Sequence, residues 1–578
     1  MIIFQNFFEF DLSIKIIENM SIEKLYASQR SILFLVILLF PIQTILFYQK
    51  SLLSTFSFYG QISSVPLLVG FALAVVVCFQ EKAVKRYLLP VSGIAIIYVL
   101  LCAGISLHSI VEYSTTGSFD VAIFGETPKI RLLKGWLVTL GITSDAVLYG
   151  SIVLMRDTLN SVREIVFAFG LVAWIAFLSR KDFLGTFKTV RKAVLWSMAL
   201  LTPYVACEVL HLFGWGGATA VLKTINSSLY EPSSFLGWYP PLVSPNQVRG
   251  TWTEPAYFAI WLAFSVPFLV SYFFRGEALF LKKAVVPFVS FSALFSIWFM
   301  TYARTSVVLI AALVGLYFLF AILFRTRENW RVVGILVVTA LIGFLITSTC
   351  GPQERGQWAH NQTEASAIVQ GGTLAGSRRQ WAHNQTEASA TERLEKTISE
   401  SVLLENTVKS SVDAESRSTP SRLQDFQLKF KVFKDYPITG AGDTLASVAQ
   451  IRKMLESPDT LTQESRQRMA YTYTNGLFQS GVNGSSLSIS GVLACRGLLG
   501  FTVLFVPILL LGLSLFICLF KVKETFRGIG ITLFISCAGS FLAAFSQGLW
   551  YYYFWCSAGL ALGFLLWARH SNSSDASE

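Results

Sequence analysis

Apolar stretches separated by short polar breaks recur along most of this chain, each roughly 17 to 25 residues, the length a helix needs to cross about 30 Å of hydrocarbon. They read as spans near 31–49, 63–80, 87–106, 162–179, 193–214, 254–273, 284–303, 305–324, 332–349, 497–520, 528–546 and 549–567. The first is followed by no small-residue cleavage site and by further spans, so it reads as an anchor rather than a signal peptide. The pattern predicts an all-α polytopic membrane protein of about 12 transmembrane helices.

Charge orients the spans. Lys and Arg number 46 against 35 Asp and Glu, and the excess sits in short loops: Lys82 to Arg86, Arg180 to Lys192, Arg275 to Lys283, Arg325 to Arg331 and Lys521 to Arg527. The positive-inside bias makes these loops cytoplasmic. The net charge therefore reports orientation, and nucleic acid is not implied. Basic loops must be separated by an even number of crossings, so one of the three apolar candidates between Arg86 and Arg180 does not cross. The stretch 136–155, which carries Asp145 and precedes Arg156 and Asp157, reads as an extracytoplasmic or re-entrant helix. Both termini then lie inside.

The domain plan is a cytoplasmic N-terminus (1–30), N-terminal spans (31–214), an extracytoplasmic loop (215–253), central spans (254–349), a large extracytoplasmic loop (350–490), C-terminal spans (491–568) and a cytoplasmic tail (569–578). The large loop holds 15 basic and 15 acidic residues, as suits a mainly helical soluble subdomain. Helices are expected at 391–408 and 419–437; in the second, Leu423, Phe426, Phe430 and Phe433 form an apolar face that must rest on protein or membrane surface. "PITGAGDT" ends it in a glycine turn. The eight cysteines lie mostly inside spans, with no CxxC motif and no disulfide framework. They read as small buried apolar residues.

Three arginines stand on the outer side, against the positive-inside trend. Arg249 lies in "QVRGTWTEPAYF", Arg304 in "YARTS" between two spans, and Arg422 at the start of the amphipathic helix. A lone interfacial arginine is usually a snorkelling anchor. Three in one compartment suit the bidentate binding of diphosphate oxygens, and guanidinium stays charged near lipid. Glu254 opens a span beside them and reads as a base, an ion-pair partner or a helix N-terminal charge. Asp443 is a second carboxylate candidate or a turn former.

The order "RGTWTEP" before a span, "TYART" between spans, "SRLQDFQLKFKVFKDYPITGAG" in a large outer loop and "GLLGF" opening the next span resembles the bacterial O-antigen polymerase and O-antigen ligase family of membrane glycosyltransferases. The resemblance covers roughly 190–567. It implies transfer of sugar from an undecaprenyl diphosphate donor to an acceptor at the outer face of the inner membrane, without cofactor, nucleotide sugar or metal. On this match Arg249 and Arg304 take the diphosphate and transition-state charge, and Arg422 orients donor or acceptor. Beside them Glu254 stands as a candidate catalytic residue, and Gly440, Gly442 and Asp443 as candidate substrate-binding residues. The ligase branch typically carries a His-Asn pair before the "GLLG" span. Here the stretch reads "SGVNGSSLSISGVLACRGLLG", which favours a polymerase, with a chain-length regulator and a flippase as possible partners. A solute or lipid-linked-sugar transporter is the competing class. No repeat between halves supports it.

Two features invite over-reading. "WYYYFW" (550–555) reads as an aromatic belt or a sugar-stacking surface, and "QWAHNQTEASA" occurs at both 357–367 and 380–390. Perfect identity in a polar, aperiodic stretch points to a recent duplication in a tolerant loop.

Overall fold

The computed structural model describes residues 21–42, 61–82, 88–115, 124–125, 128–229, 247–252, 254–275, 285–301, 303–350, 418–457, 461–462, 465–466, 469, 472, 476–479, 488–542, 545, 548–549 and 551–575. Helices dominate them and no strand occurs among them. The first group is α1 (Ile22–Leu38), α2 (Ser64–Gln80), α3 (Leu88–Thr115), α4 (Pro128–Thr139), α5 (Asp145–Glu164), α6 (Gly170–Leu212) and α7 (Gly216–Leu229). Next come α8 (Pro255–Arg275), α9 (Val285–Phe299), α10 (Arg304–Phe324) and α11 (Arg327–Cys350). Helices α12 (Ser418–Asp435) and α13 (Leu445–Glu456) precede α14 (Ile489–Lys521), α15 (Glu524–Phe541) and α16 (Tyr552–Asp575).

Every expected apolar segment is wholly or partly helical. Among the described residues six helical stretches are long and apolar enough to cross a membrane, so the chain is a multi-pass membrane protein. The two expected spans at 162–179 and 193–214 are limbs of one helix, α6 together with the π-helical turn Ile165–Phe169 that precedes it. They are divided at Asp182, whose backbone leaves the helical region (φ −149, ψ 84). Its carboxylate then caps the second limb, accepting from the Gly185 N–H at 2.8 Å, and pairs with Arg30 at 2.5 Å. Helix α1 lies against both limbs through Gln29 to Trp174 and Ser197 to the Ile37 carbonyl.

The stretch 136–155, expected as an extracytoplasmic or re-entrant helix, is not a single separate element. It divides at Gly141, where φ is +85. The part from Asp145 onward continues through α5 and the π-helical turn into α6. Asp157 and Glu164 are buried within it, and a carboxylate inside such a helix calls for a partner. Helix α16 seals the bundle against α6 through Gly559 and Gly563, where an added Cβ would come within 2.9 Å of Ile175 and 2.3 Å of Ser179. Small residues four apart let two membrane helices approach closely. The repeat at 357–390, the expected helix at 391–408 and Asn483 lie outside the described residues.

Candidate functional site

The "PITGAGDT" turn is threaded through a break in α14. At Gly497 the helix interrupts (φ 60, ψ −160). A continuous helix would pair the 498 and 499 amides with the 494 and 495 carbonyls. Instead Leu498 and Leu499 donate to the Pro437 and Ile438 carbonyls at 2.9 and 3.1 Å, while Ala441 and Gly442 donate to the Ala494 and Cys495 carbonyls, both at 2.9 Å. The loop thus substitutes for two missing helical hydrogen bonds on both their donor and acceptor sides. Glycine is required where the backbones meet. A Cβ on Gly440 would lie 2.3 Å from the Arg496 nitrogen, and one on Gly497 2.3 Å from the Ile438 oxygen.

Arg496 locks this insertion. Its guanidinium bonds Asp443 at 2.6 and 2.9 Å and Glu164 at 2.7 and 3.0 Å, and donates to the Tyr98 hydroxyl. Beside it Asp157 accepts from Ser106 at 2.8 Å and from the Thr444 hydroxyl at 2.6 Å. All of these charged groups are buried. One cation between two carboxylates, each hydrogen-bonded, is the arrangement that keeps a buried charge tolerable. Gly440, Gly442 and Asp443, expected at the substrate, are engaged internally in docking the loop to α3, α5 and α14.

A second constellation surrounds Arg249. Glu208, near the end of α6, is fully buried and accepts from the Arg249 and Gly250 amides at 3.3 and 2.8 Å. The Arg249 guanidinium lies 3.9 Å from Glu208 and donates to the Trp252 carbonyl at 2.6 Å. Trp252 donates from its indole to the Tyr553 hydroxyl at 2.8 Å, and Thr251 reaches the Pro41 carbonyl. The Val248 N–H bonds the Met300 carbonyl at 3.0 Å, which sets this loop against the turn between α9 and α10. That turn is built on Thr301, whose hydroxyl donates to the Trp298 carbonyl and meets Ser306. Arg304, of which the backbone alone is described, is the first residue of α10. The structure therefore brings the Arg249 and Arg304 segments together, with Glu254 directly before α8.

Arg422 is exposed on α12, apart from both constellations. Of the face expected to rest on protein or membrane surface, Leu423 and Phe433 are half-buried against the protein and the two phenylalanines between them are not. Ser421, Leu428, Lys429 and Val432 are buried, whereas Phe426 and Phe430 stay 43% and 39% exposed. Outside the spans, Lys453 donates to Glu456 and Asp435, which raise its amine above its ordinary range. The aromatic run corrects another expectation. Tyr551 to Trp555 are all buried: Tyr553 holds Trp252, and Trp555 packs on Phe169, which packs on Tyr98. The run joins the two constellations through the core and forms no belt.

Arg496, Glu164 and Glu208 were the residues missed. Each is a charge next to or within an apolar run, a signal that by itself marks a partner inside the bundle.

No curated protein and no solved structure matches the chain significantly. Residues 288–484 match the family model described as O-Antigen ligase, a region that contains Arg304, Arg422, Gly440, Gly442 and Asp443 and leaves Arg249, Glu254 and Arg496 outside it. With the motif order described above, this match supports the likeness of the chain to the O-antigen ligase and polymerase family of membrane glycosyltransferases over that region.

Proposed function

We propose that the chain polymerises oligosaccharide repeat units of O-antigen, capsule or exopolysaccharide, carried on undecaprenyl diphosphate, at the outer face of the bacterial inner membrane. The observation that carries this reading is the junction of the "VRGTW" loop with the turn before Arg304 through the Val248 to Met300 hydrogen bond. Two arginine-bearing segments distant in sequence meet there, within a chain that carries an O-antigen ligase region.

In the proposed step a hydroxyl oxygen of the acceptor sugar attacks the anomeric carbon of the donor. The bond from that carbon to the diphosphate oxygen breaks, and undecaprenyl diphosphate leaves with the electron pair. Diphosphate is a stable anion, so the leaving group needs charge neutralisation more than a proton. Arg304, at the start of α10, supplies it. Glu254 takes the proton of the attacking hydroxyl. Arg249 is fully buried against Glu208; its role is to hold the loop that presents Glu254. Asp443 and the two glycines fix the outer loop against the bundle.

Ligation to lipid A-core or protein is the second reading, favoured by the name of the matching family model. Expression in polymerase-null and ligase-null strains separates the two. Restored chain length with attachment unaffected supports the polymerase; restored attachment alone refutes it.

A further inference from the structure

Helix α12 segregates its charges by side. Its acids are paired: Asp425, half-buried, accepts from Gln450 at 2.6 Å and pairs with Lys429 at 2.8 Å, and Asp435, exposed at the end of the helix, pairs with Lys453 at 3.1 Å. Leu428 packs with Met454 and Leu461, and Val432 joins the core around Tyr113 and Leu445. The opposite side carries Arg422, Phe426, Phe430 and Lys434 at four-residue intervals, one row along the helix, with Lys431 exposed beside them. The Phe426 and Phe430 rings stack at 6.3 Å, and the Lys434 ammonium lies 5.4 Å from the Phe430 ring.

This row lies beside the exposed apolar surface of a helix long and apolar enough to span a bilayer. Ile438, at the end of α12, is 67% exposed and its carbonyl receives the Leu499 amide. Leu498 and Leu499 are themselves exposed, and Val503, Leu509, Leu510 and Leu513 carry the exposed strip down the long limb of α14. That limb is one of the stretches long and apolar enough to span a bilayer. An apolar strip on a spanning helix that meets, at Ile438, a helix with exposed aromatics flanked by cations and with its exposed acid Asp435 neutralised by Lys453 matches the boundary between acyl chains and headgroups.

We infer that α12 lies in the headgroup layer of the bilayer, with Phe426 and Phe430 at the acyl boundary and Arg422, Lys431 and Lys434 on the phosphates of anionic phospholipid. Basic residues near a membrane surface draw anionic lipid. The inference depends on the chain being a membrane protein and is independent of which sugar transfer it performs. It explains why a helix with an exposed phenylalanine pair is not a packing defect.

The test uses the full-length chain in nanodiscs of phosphatidylethanolamine and phosphatidylglycerol, with Phe430→benzoylphenylalanine and, separately, Phe426→benzoylphenylalanine. After irradiation, mass spectrometry identifies the adduct at each probe. Phospholipid adducts are expected at both positions, with phosphatidylglycerol enriched above its mole fraction. In the background R422Q, K431Q, K434Q that enrichment should disappear while lipid adducts persist. Adducts to polypeptide, whether a second copy or another chain, or to oligosaccharide, would overturn the inference, as would a probe that reacts with solvent alone.

Discussion

Replacing Arg496 with methionine removes the cation between Glu164 and Asp443 while keeping an unbranched apolar side chain in its place. The structure gives Arg496 four charge-assisted hydrogen bonds to the two carboxylates, and breaking a buried pair by deleting one partner costs about 3–5 kcal/mol. Because Asp443 belongs to the inserted loop and Glu164 to the bundle, the loss falls on loop docking. At about 1.4 kcal/mol per factor of ten, undocking becomes roughly a hundredfold to a few thousandfold more frequent. Hydrogen exchange reads this directly at the amides of Ala441, Gly442, Leu498 and Leu499, which bond across the break. Their protection should fall by that factor in R496M, while amides of the α8 interior remain unchanged. Neutralising all three groups in R496M, E164Q, D443N should restore much of the protection, since neither carboxylate partner of Arg496 is left buried and charged. Unchanged exchange at the four amides in R496M would refute the reasoning.

Gly440→Ala should abolish loop docking, because its methyl group meets backbone at 2.3 Å, whereas Gly442→Ala, whose nearest contact is 3.4 Å, should cost only about 1–2 kcal/mol for its left-handed conformation; thermal melts in nanodiscs should rank the two accordingly. At Glu208, glutamine keeps an acceptor for the Arg249 and Gly250 amides and loses the negative charge, and alanine loses both. Thermal stability is therefore expected to fall from wild type to E208Q to E208A, and equal melting of all three would contradict the role given to Glu208. Deletion of 357–379 removes one copy of the repeat and should leave polymer formation largely intact at normal membrane level. Loss of polymer at that level would show the duplication to be functional.

Much of the architecture was legible because a bilayer imposes a length on every crossing helix, so apolar runs alone locate α2, α3, α8 to α11 and α14 to α16. That Arg249 and the turn before Arg304 belong to one outer region was legible from residue type and position, whereas the carboxylate that pairs with Arg249, Glu208, was not. Gly497 was legible only as the start of the 497–520 span; that the helix begins earlier, at Ile489, and is interrupted there leaves no trace in hydropathy. Arg496 was hidden because its partners are 332 and 53 residues away, beyond any local pattern. Phe426 and Phe430 were legible as an apolar face, but periodicity cannot say whether such a face meets protein or lipid. In a membrane protein the two are equally apolar. The buried "YYYFW" residues mislead in the opposite sense: aromatic rings near the end of a span usually mark an interface, and here Tyr553 and Trp555 turn inward because Trp252 and Phe169 offer them partners.

The most direct measurement reconstitutes purified wild-type chain and Arg304→Gln with an undecaprenyl-diphosphate-linked repeat unit as both donor and acceptor, and follows polymer length together with released undecaprenyl diphosphate. The wild type is expected to lengthen the glycan with one undecaprenyl diphosphate released per unit added, and R304Q, folded and melting as the wild type does, to do neither. Release and polymerisation by R304Q at the wild-type rate would contradict the account.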